Sequence, residues 1–368
     1  MMTETYIKVS DLRPGITLKE DVFANTNYPI VRKDTELSSE HFEVLYAFGV
    51  KTVKVEERVV VKKEDLHVID TENPVDPNAV LASIPMGEAD LQVRYQKAVQ
   101  NYKKEFSSWQ AGTRPDIAIV RSIVIPLIET FMEQKEVLKV LNNFSNTKDY
   151  IYHHSIAVSL LASAISEQMD FPKGQTLQIG LAGALVDCGM AKISLKLTEK
   201  AAFLTKEEFN EVKKHTIYSY QMIQDTPLLR KEMKLAIFQH HERIDGSGYP
   251  RGNKTEEISI FSQILAVADV FHAMTSERVH RSKESPYKVI EMIKEEEFGK
   301  FDIKVVQALH ELVDNLSIGM KVELTNGEIG EIMFIHHDTR LRPMVKRIGD
   351  DMLIDLTVNR DLAIERVL

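Results

Sequence analysis

The 368-residue chain is 43% hydrophobic and carries a net charge of −9, so it is long enough for about two or three domains with a real core, and its acidity argues against a protein that coats nucleic acid or anionic lipid. The lone cysteine, Cys188, excludes an internal disulfide framework and a cysteine-based zinc site. No apolar run approaches the ~18 residues of a membrane span, and the polar start from Met1 to Glu4 does not read as a secretory leader, so the expected location is the cytoplasm.

Residues 1–67 read as a small α+β unit. Short strands surround one helix: Ser38 to Phe48 has helical spacing, with Phe42, Leu45 and Tyr46 on one face, and Lys51 to Val61 alternates and is rich in valine. Residues 68–88 carry Asp70, Asn73, Pro74, Pro77 and Pro85, a mixture that starves both helix and strand and reads as a linker. Residues 89–317 are mostly helical in pattern. Thr205 with Glu208 makes a capping box, Ser285 before Pro286 puts proline at a first helical position, and Asp302 precedes the apolar stripe Val305, Val306, Leu309, Leu312, Val313 and Leu316. From residue 318 to residue 368 the period changes to two, with Asn326-Gly327 as a tight hairpin turn and strands expected near 320–336 and 344–368. The fold class is therefore mainly α, a multi-helix core with a small N-terminal α+β domain and a small C-terminal β module.

Chemistry concentrates in histidines and aspartates scattered through the helical region: His153, His154, Asp187, His215, His240, His241 and Asp269. Singly, each is an ordinary core or surface residue. Around His240 the chain reads Gln239-His240-His241-Glu242-Arg243-Ile244-Asp245-Gly246-Ser247-Gly248-Tyr249-Pro250, a helix end leading into a glycine-rich turn. Imidazoles are good ligands for iron, manganese or zinc, and glycines let backbone amides approach a phosphate.

This stretch resembles the signature of the HD-GYP family, metal-dependent phosphodiesterases of cyclic di-GMP within the HD superfamily. The resemblance covers roughly residues 125–315 and continues in family order. His154-Ser155 stands at the family's first helix histidine, Lys213-Lys214-His215 at its next, and Ala268-Asp269-Val270-Phe271 at its late aspartate, followed by Arg278 and Arg281, which resemble its basic pair. The chain departs from the family at the eponymous pair. Where the family reads Leu-His-Asp-Ile-Gly-Lys, this chain has Leu185-Val186-Asp187-Cys188-Gly189-Met190, and a further family aspartate is replaced by His272.

The resemblance implies two divalent metals (iron, manganese or zinc) that share Asp187. One draws on Asp187, His215, His240 and His241. The other draws on His154, Asp187, Asp269 and the position now held by Val186, so one site is expected to be well formed and the second weakened. His154 and Asp187 are the implied catalytic positions, and Arg243, Gly246, Gly248, Tyr249, Pro250, Arg278 and Arg281 the implied substrate contacts. His272, three residues after Asp269 and on the same helix face, is a candidate replacement ligand. The expected function is hydrolysis of cyclic di-GMP with reduced activity; the alternative is an inert receptor for that or another nucleotide. A protein partner at the terminal domains and an oligomer are compatible with either, and neither needs a nucleic-acid polymer or a membrane span.

Overall fold

The computed structural model describes residues 3–9, 12–13, 15–23, 29, 31–38, 41–42, 45, 50–57, 88–133, 149–198, 200, 202–277, 283–295 and 299–368. The expected linker, except for its last residue, lies outside the described residues, as do Arg278 and Arg281.

Strands β1 (Thr3–Lys8), β2 (Ile16–Leu18), β3 (Glu36–Leu37) and β4 (Thr52–Glu57) form an antiparallel sheet in the order β1-β4-β2-β3. The valines of β4 explain its place inside the sheet: Val53 and Val55 turn inward and are buried, while Thr52 and Lys54 alternate with them. With Leu18, Leu37 and Leu45 they build a small core of their own, which Val93 of the first long helix completes.

That helix, α1 (Glu88–Gln110), leads into α2 (Ile117–Glu133), α3 (Tyr150–Gln168) and α4 (Lys173–Gly183). A 3-10 turn (Cys188–Lys192) follows, then α5 (Leu195–Thr198), α6 (Lys206–Lys213), α7 (His215–Ile223), α8 (Lys231–Gln239), α9 (Ile260–Thr275), α10 (Pro286–Glu295) and α11 (Ile303–Val313). Helices α3 and α9 are buried nearly all round, from His153 to Ser166 and from Ser262 to His272 apart from Val270, as befits central helices wrapped by amphipathic ones. The caps read from the sequence are in place: Thr205 and Glu208 exchange both capping-box bonds, and the Asp302 carboxylate accepts from Lys304 N.

Strands β5 (Lys321–Leu324), β6 (Ile329–Phe334), β7 (Met344–Arg347), β8 (Leu353–Asp355) and β9 (Ile364–Val367) form an antiparallel sheet in the order β8-β7-β6-β5-β9. Its inner side chains Val322, Leu324, Ile332, Val345 and Ile364 belong to the same continuous core as the helices. Polar clamps reinforce the junction. Arg342 spans both carboxylate oxygens of Glu291 at 2.6 Å, and Ser285 Oγ donates to the Ile364 carbonyl at 2.6 Å. Among the described residues, no helix is long and apolar enough to cross a membrane.

Candidate metal centre

Five elements deliver the polar cluster at the middle of the helical core. His154 comes from the first turn of α3, Asp187 from the turn after α4, His215 from the start of α7, His240 and His241 from the end of α8, and Asp269 from α9. The Asp187 turn is held on both sides by one hydroxyl of α7. Ser219 Oγ donates to the Val186 carbonyl at 2.7 Å and accepts from Gly189 N at 2.8 Å. Glycine is required at 189, because a Cβ there would lie 2.1 Å from the His215 carbonyl oxygen and 2.4 Å from Ser219 N.

Two groups of donors result, each with its atoms within 4.8 Å of one another: Asp187, His215, His240 and His241 in one, and His154, Asp187 and Asp269 in the other. In the first group, His215 Nδ1 donates to the Val212 carbonyl at 2.8 Å and His240 Nδ1 to the Ile237 carbonyl at 2.7 Å. A ring nitrogen facing a carbonyl oxygen must carry the proton, so both Nε2 lone pairs turn inward, and those atoms sit 3.4 Å apart. Asp187 Oδ1 lies 3.2 Å from His215 Nε2 and 3.8 Å from His240 Nε2.

In the second group, His154 Nε2 is 2.8 Å from Asp269 Oδ1 and 3.6 Å from Asp187 Oδ2. Asp269 also faces the first group, with His241 Nδ1 3.7 Å from its Oδ2. The electrostatics suit cations. Burial, helped by His215, pulls His240 down to about 4, and burial with the charge of His240 pulls His241 well below its ordinary value, so both rings offer lone pairs at neutral pH. Burial pushes the Asp269 carboxyl up, but the hydrogen bond from His154 and the nearby histidine charges outweigh it and hold the group well below the usual carboxylate range.

The glycine-rich loop borders this cluster. Tyr249 stacks on His241 with ring centroids 4.6 Å apart, the Tyr249–Pro250 bond is cis, and the Lys213 ammonium lies 5.0 Å from the Tyr249 ring centroid. Gly248 is demanded by packing: a Cβ there would fall 2.4 Å from Arg243 N and 2.5 Å from Glu242 Cα.

The HD-domain family model matches residues 137–305, the part of the chain that carries the whole cluster. The chain is 30% identical over 241 residues to a cyclic di-GMP phosphodiesterase of Pseudomonas aeruginosa, covering 66% of this chain and 58% of that protein. It is 39% identical over 150 residues to a cyclic di-GMP phosphodiesterase of Thermotoga maritima, covering 40% of each. Residues 137–305 thus match the HD domain, and the relatives they align with are cyclic di-GMP phosphodiesterases. The matched stretches span 58% and 40% of these two relatives' lengths. The solved structure of Bd1817, an HDG"Y"P protein from Bdellovibrio bacteriovorus, shares the fold, with a TM-score of 0.55 at 17% identity over 84% of this chain and 99% of that one.

Against the HD-GYP pattern, the chain departs at Val186, whose side chain is wholly buried in the apolar core, and at Met190, which packs against that core. His272 does not stand in for the missing ligand. It belongs to neither donor group among the described residues, and its Nδ1 sits 2.9 Å from His154 Nδ1, on the side of that ring turned away from Asp269. The reason is geometric: the i to i+3 spacing brings His272 to the same face as Asp269 but one turn further along α9, behind His154. His153 is likewise outside both groups, buried beside Tyr95.

Arg243 is engaged with its own loop: its Nη1 donates to the carbonyls of His240 at 3.2 Å and Glu242 at 2.9 Å, and its guanidinium carbon lies 4.6 Å from the Phe301 ring centroid. Gly246 adopts φ +83° at a turn. Three supporting residues escaped the sequence reading. Glu242 accepts from Arg251 N and Asn253 N, Ser219 holds the Asp187 turn, and Tyr150 stacks on His154 with its hydroxyl 3.0 Å from Nδ1. Only Tyr150 had a sequence signal, since it precedes His154 by four residues on one helix face.

Proposed function

We propose that this protein is a metal-dependent phosphodiesterase that hydrolyses cyclic di-GMP. The observation that carries the proposal is the position of Asp187, which belongs to both donor groups and so can bridge two cations. Three imidazoles and a carboxylate make the first group a full nitrogen and oxygen set for iron, manganese or zinc, and the inward Nε2 atoms of His215 and His240 fit that use. The second group offers one imidazole and two carboxylates and is the weaker site, with an apolar side chain at Val186. A divalent pair held there supplies Lewis acidity, making water acidic and neutralising charge on the phosphodiester.

The chain's own residues do the rest. Asp187 and Asp269 set the negative charge that retains cations, and His154 is held against Asp269. The Tyr249 ring covers His241 and walls one side, and the Lys213 ammonium beside it places positive charge at that wall. The oxygen of water bonds to phosphorus and gives up a proton, the bond from phosphorus to a ribose oxygen breaks, and that oxygen takes up a proton, opening the cyclic dinucleotide to a linear one.

A second reading, a receptor that binds cyclic di-GMP without cutting it and signals to a partner through its terminal sheets, draws support from the apolar residues Val186 and Met190. One preparation separates the two. Metal content is measured on the purified protein, then hydrolysis and binding of cyclic di-GMP on the same sample. Two metals per chain with a linear product support the phosphodiesterase; nucleotide bound but uncut supports the receptor.

A further inference from the structure

His154 must present Nε2 to the second donor group, because that nitrogen, and not Nδ1, faces Asp269 at 2.8 Å and Asp187 at 3.6 Å. An imidazole that gives its Nε2 lone pair to a cation carries its proton on Nδ1, and a buried N–H needs an acceptor. His272 is wholly buried, its Nδ1 is 2.9 Å from His154 Nδ1, and Ser276 Oγ, also wholly buried, lies beside the ring, 3.1 Å from Nε2 and 3.4 Å from Nδ1.

We infer that His272 is a positioning residue that accepts the Nδ1–H of His154 and so holds His154 as a ligand of the second metal. The inference rests on the metal-dependent reading above and deepens it. Its directionality follows from proton bookkeeping. When His154 Nδ1 donates, His272 Nδ1 must be the bare nitrogen, and the His272 proton therefore sits on Nε2. His154 is then fixed in the tautomer a cation requires. Tyr150, stacked on His154 with its hydroxyl 3.0 Å from the same Nδ1, restrains the ring's plane and offers a competing oxygen. His272 thus strengthens the site that Val186 weakens, without touching the cation.

The test is metal uptake, which does not depend on turnover. Native protein, H272F, H272Q and Y150F are stripped with chelator, checked for unchanged circular dichroism and melting temperature, and titrated with Mn2+ by calorimetry and by the electron paramagnetic resonance signal of coupled Mn2+ pairs. Outer partners of metal-bound histidines are worth about 10–100-fold in affinity. The expected result is that H272F keeps the first Mn2+ unchanged, loses about 10–100-fold on the second, and loses the coupled signal. H272Q, whose side-chain oxygen can accept the same proton, recovers most of both, and Y150F changes the second equivalent less than H272F.

A second equivalent in H272F with native affinity overturns the inference. So do an effect in Y150F as large as in H272F, failure of H272Q to restore uptake although it folds, and a native protein that takes up one Mn2+ only. Selective loss in H272F from a native protein that binds two Mn2+ but never cuts cyclic di-GMP upholds the role of His272 and rejects the hydrolytic reading, so the two failures are distinguishable.

Discussion

Glu242 is the residue whose removal tests the loop architecture most directly. Its carboxylate is wholly buried and accepts from Arg251 N at 2.8 Å and Asn253 N at 2.9 Å, tying the end of the Gly246–Pro250 loop back to the residue that follows His241. Hydrogen bonds to a charged acceptor contribute ~1.5–3 kcal/mol each, so the pair has a ceiling of about 3–6 kcal/mol. Arg251 is exposed and Asn253 half-buried, so water replaces part of the interaction in Glu242→Ala, leaving a cost of about 3 kcal/mol. That cost falls on local opening of the loop rather than on global unfolding, and it corresponds to an opening equilibrium about 100-fold larger. Hydrogen exchange read by mass spectrometry over residues 249–254 measures it. Protection at the Arg251 and Asn253 amides should fall about 100-fold, while peptides from α3 and α9 keep theirs and metal content is unchanged. On the proposed function, affinity for cyclic di-GMP should fall with the loop's order. Loop protection within about threefold of native would refute the assignment of Glu242 as the staple.

The remaining predictions concern the cluster and its supports. Asp187→Asn removes the carboxylate common to both donor groups, so metal content should drop for both sites and the rise in melting temperature produced by Mn2+ should disappear; retention of either full equivalent counts against the bridging role. Gly189→Ala would put a Cβ 2.1 Å from the His215 carbonyl oxygen, which should cost about 1–3 kcal/mol and weaken metal binding together, and a variant with native melting temperature and metal content contradicts the close-approach argument. Val186→His with Met190→Lys should raise hydrolysis at least about tenfold if the two changes limit turnover, equivalent to ~1.4 kcal/mol of barrier; a folded, metal-loaded variant with unchanged turnover sinks that account. His153 titrates at about 4 because burial outweighs every other influence on it, against ~6.5 in the unfolded chain. The unfolded state therefore binds the extra proton as pH falls below ~6.5, and stability drops, by roughly 2–3 kcal/mol, until the folded value is reached. In chelated protein, His153→Phe should lose that share of acid sensitivity in urea unfolding, and an unaltered pH dependence excludes His153 as its source.

The parts of the fold legible in the sequence were those with local causes. The Thr205 and Glu208 capping box, the Asp302 cap and the Asn326-Gly327 hairpin are each decided within a few residues, and each is present in the structure. The donor residues were legible for a different reason: His240, His241 and the loop after them form one continuous motif, and the resemblance it carries points to His154, His215 and Asp269 elsewhere in the chain. What no local pattern gives is the angle at which one element meets another. The change of period near residue 318 marks where strands begin, yet the inner face of β5, β6 and β9 continues the helical core, because a small sheet with one apolar face must bury it against something. Glu242 and Ser219 were invisible for the same reason: their partners are backbone groups 9 to 33 residues away.

His272 shows how spacing constrains a residue's face but not its distance from a neighbouring helix. Three residues after Asp269 it had to share that side of α9, and on this ground alone it looked like a substitute ligand. The crossing of α3 over α9 instead interposes His154 between His272 and the carboxylates, so the substitution acts on a ligand's orientation and leaves the ligand count unchanged. Two departures from the family pattern that look independent in the sequence, Val186 and His272, therefore bear on the same metal site. Counting the motif positions that are missing does not say how firmly His272 orients His154, so the strength of the second site must be measured on the folded protein.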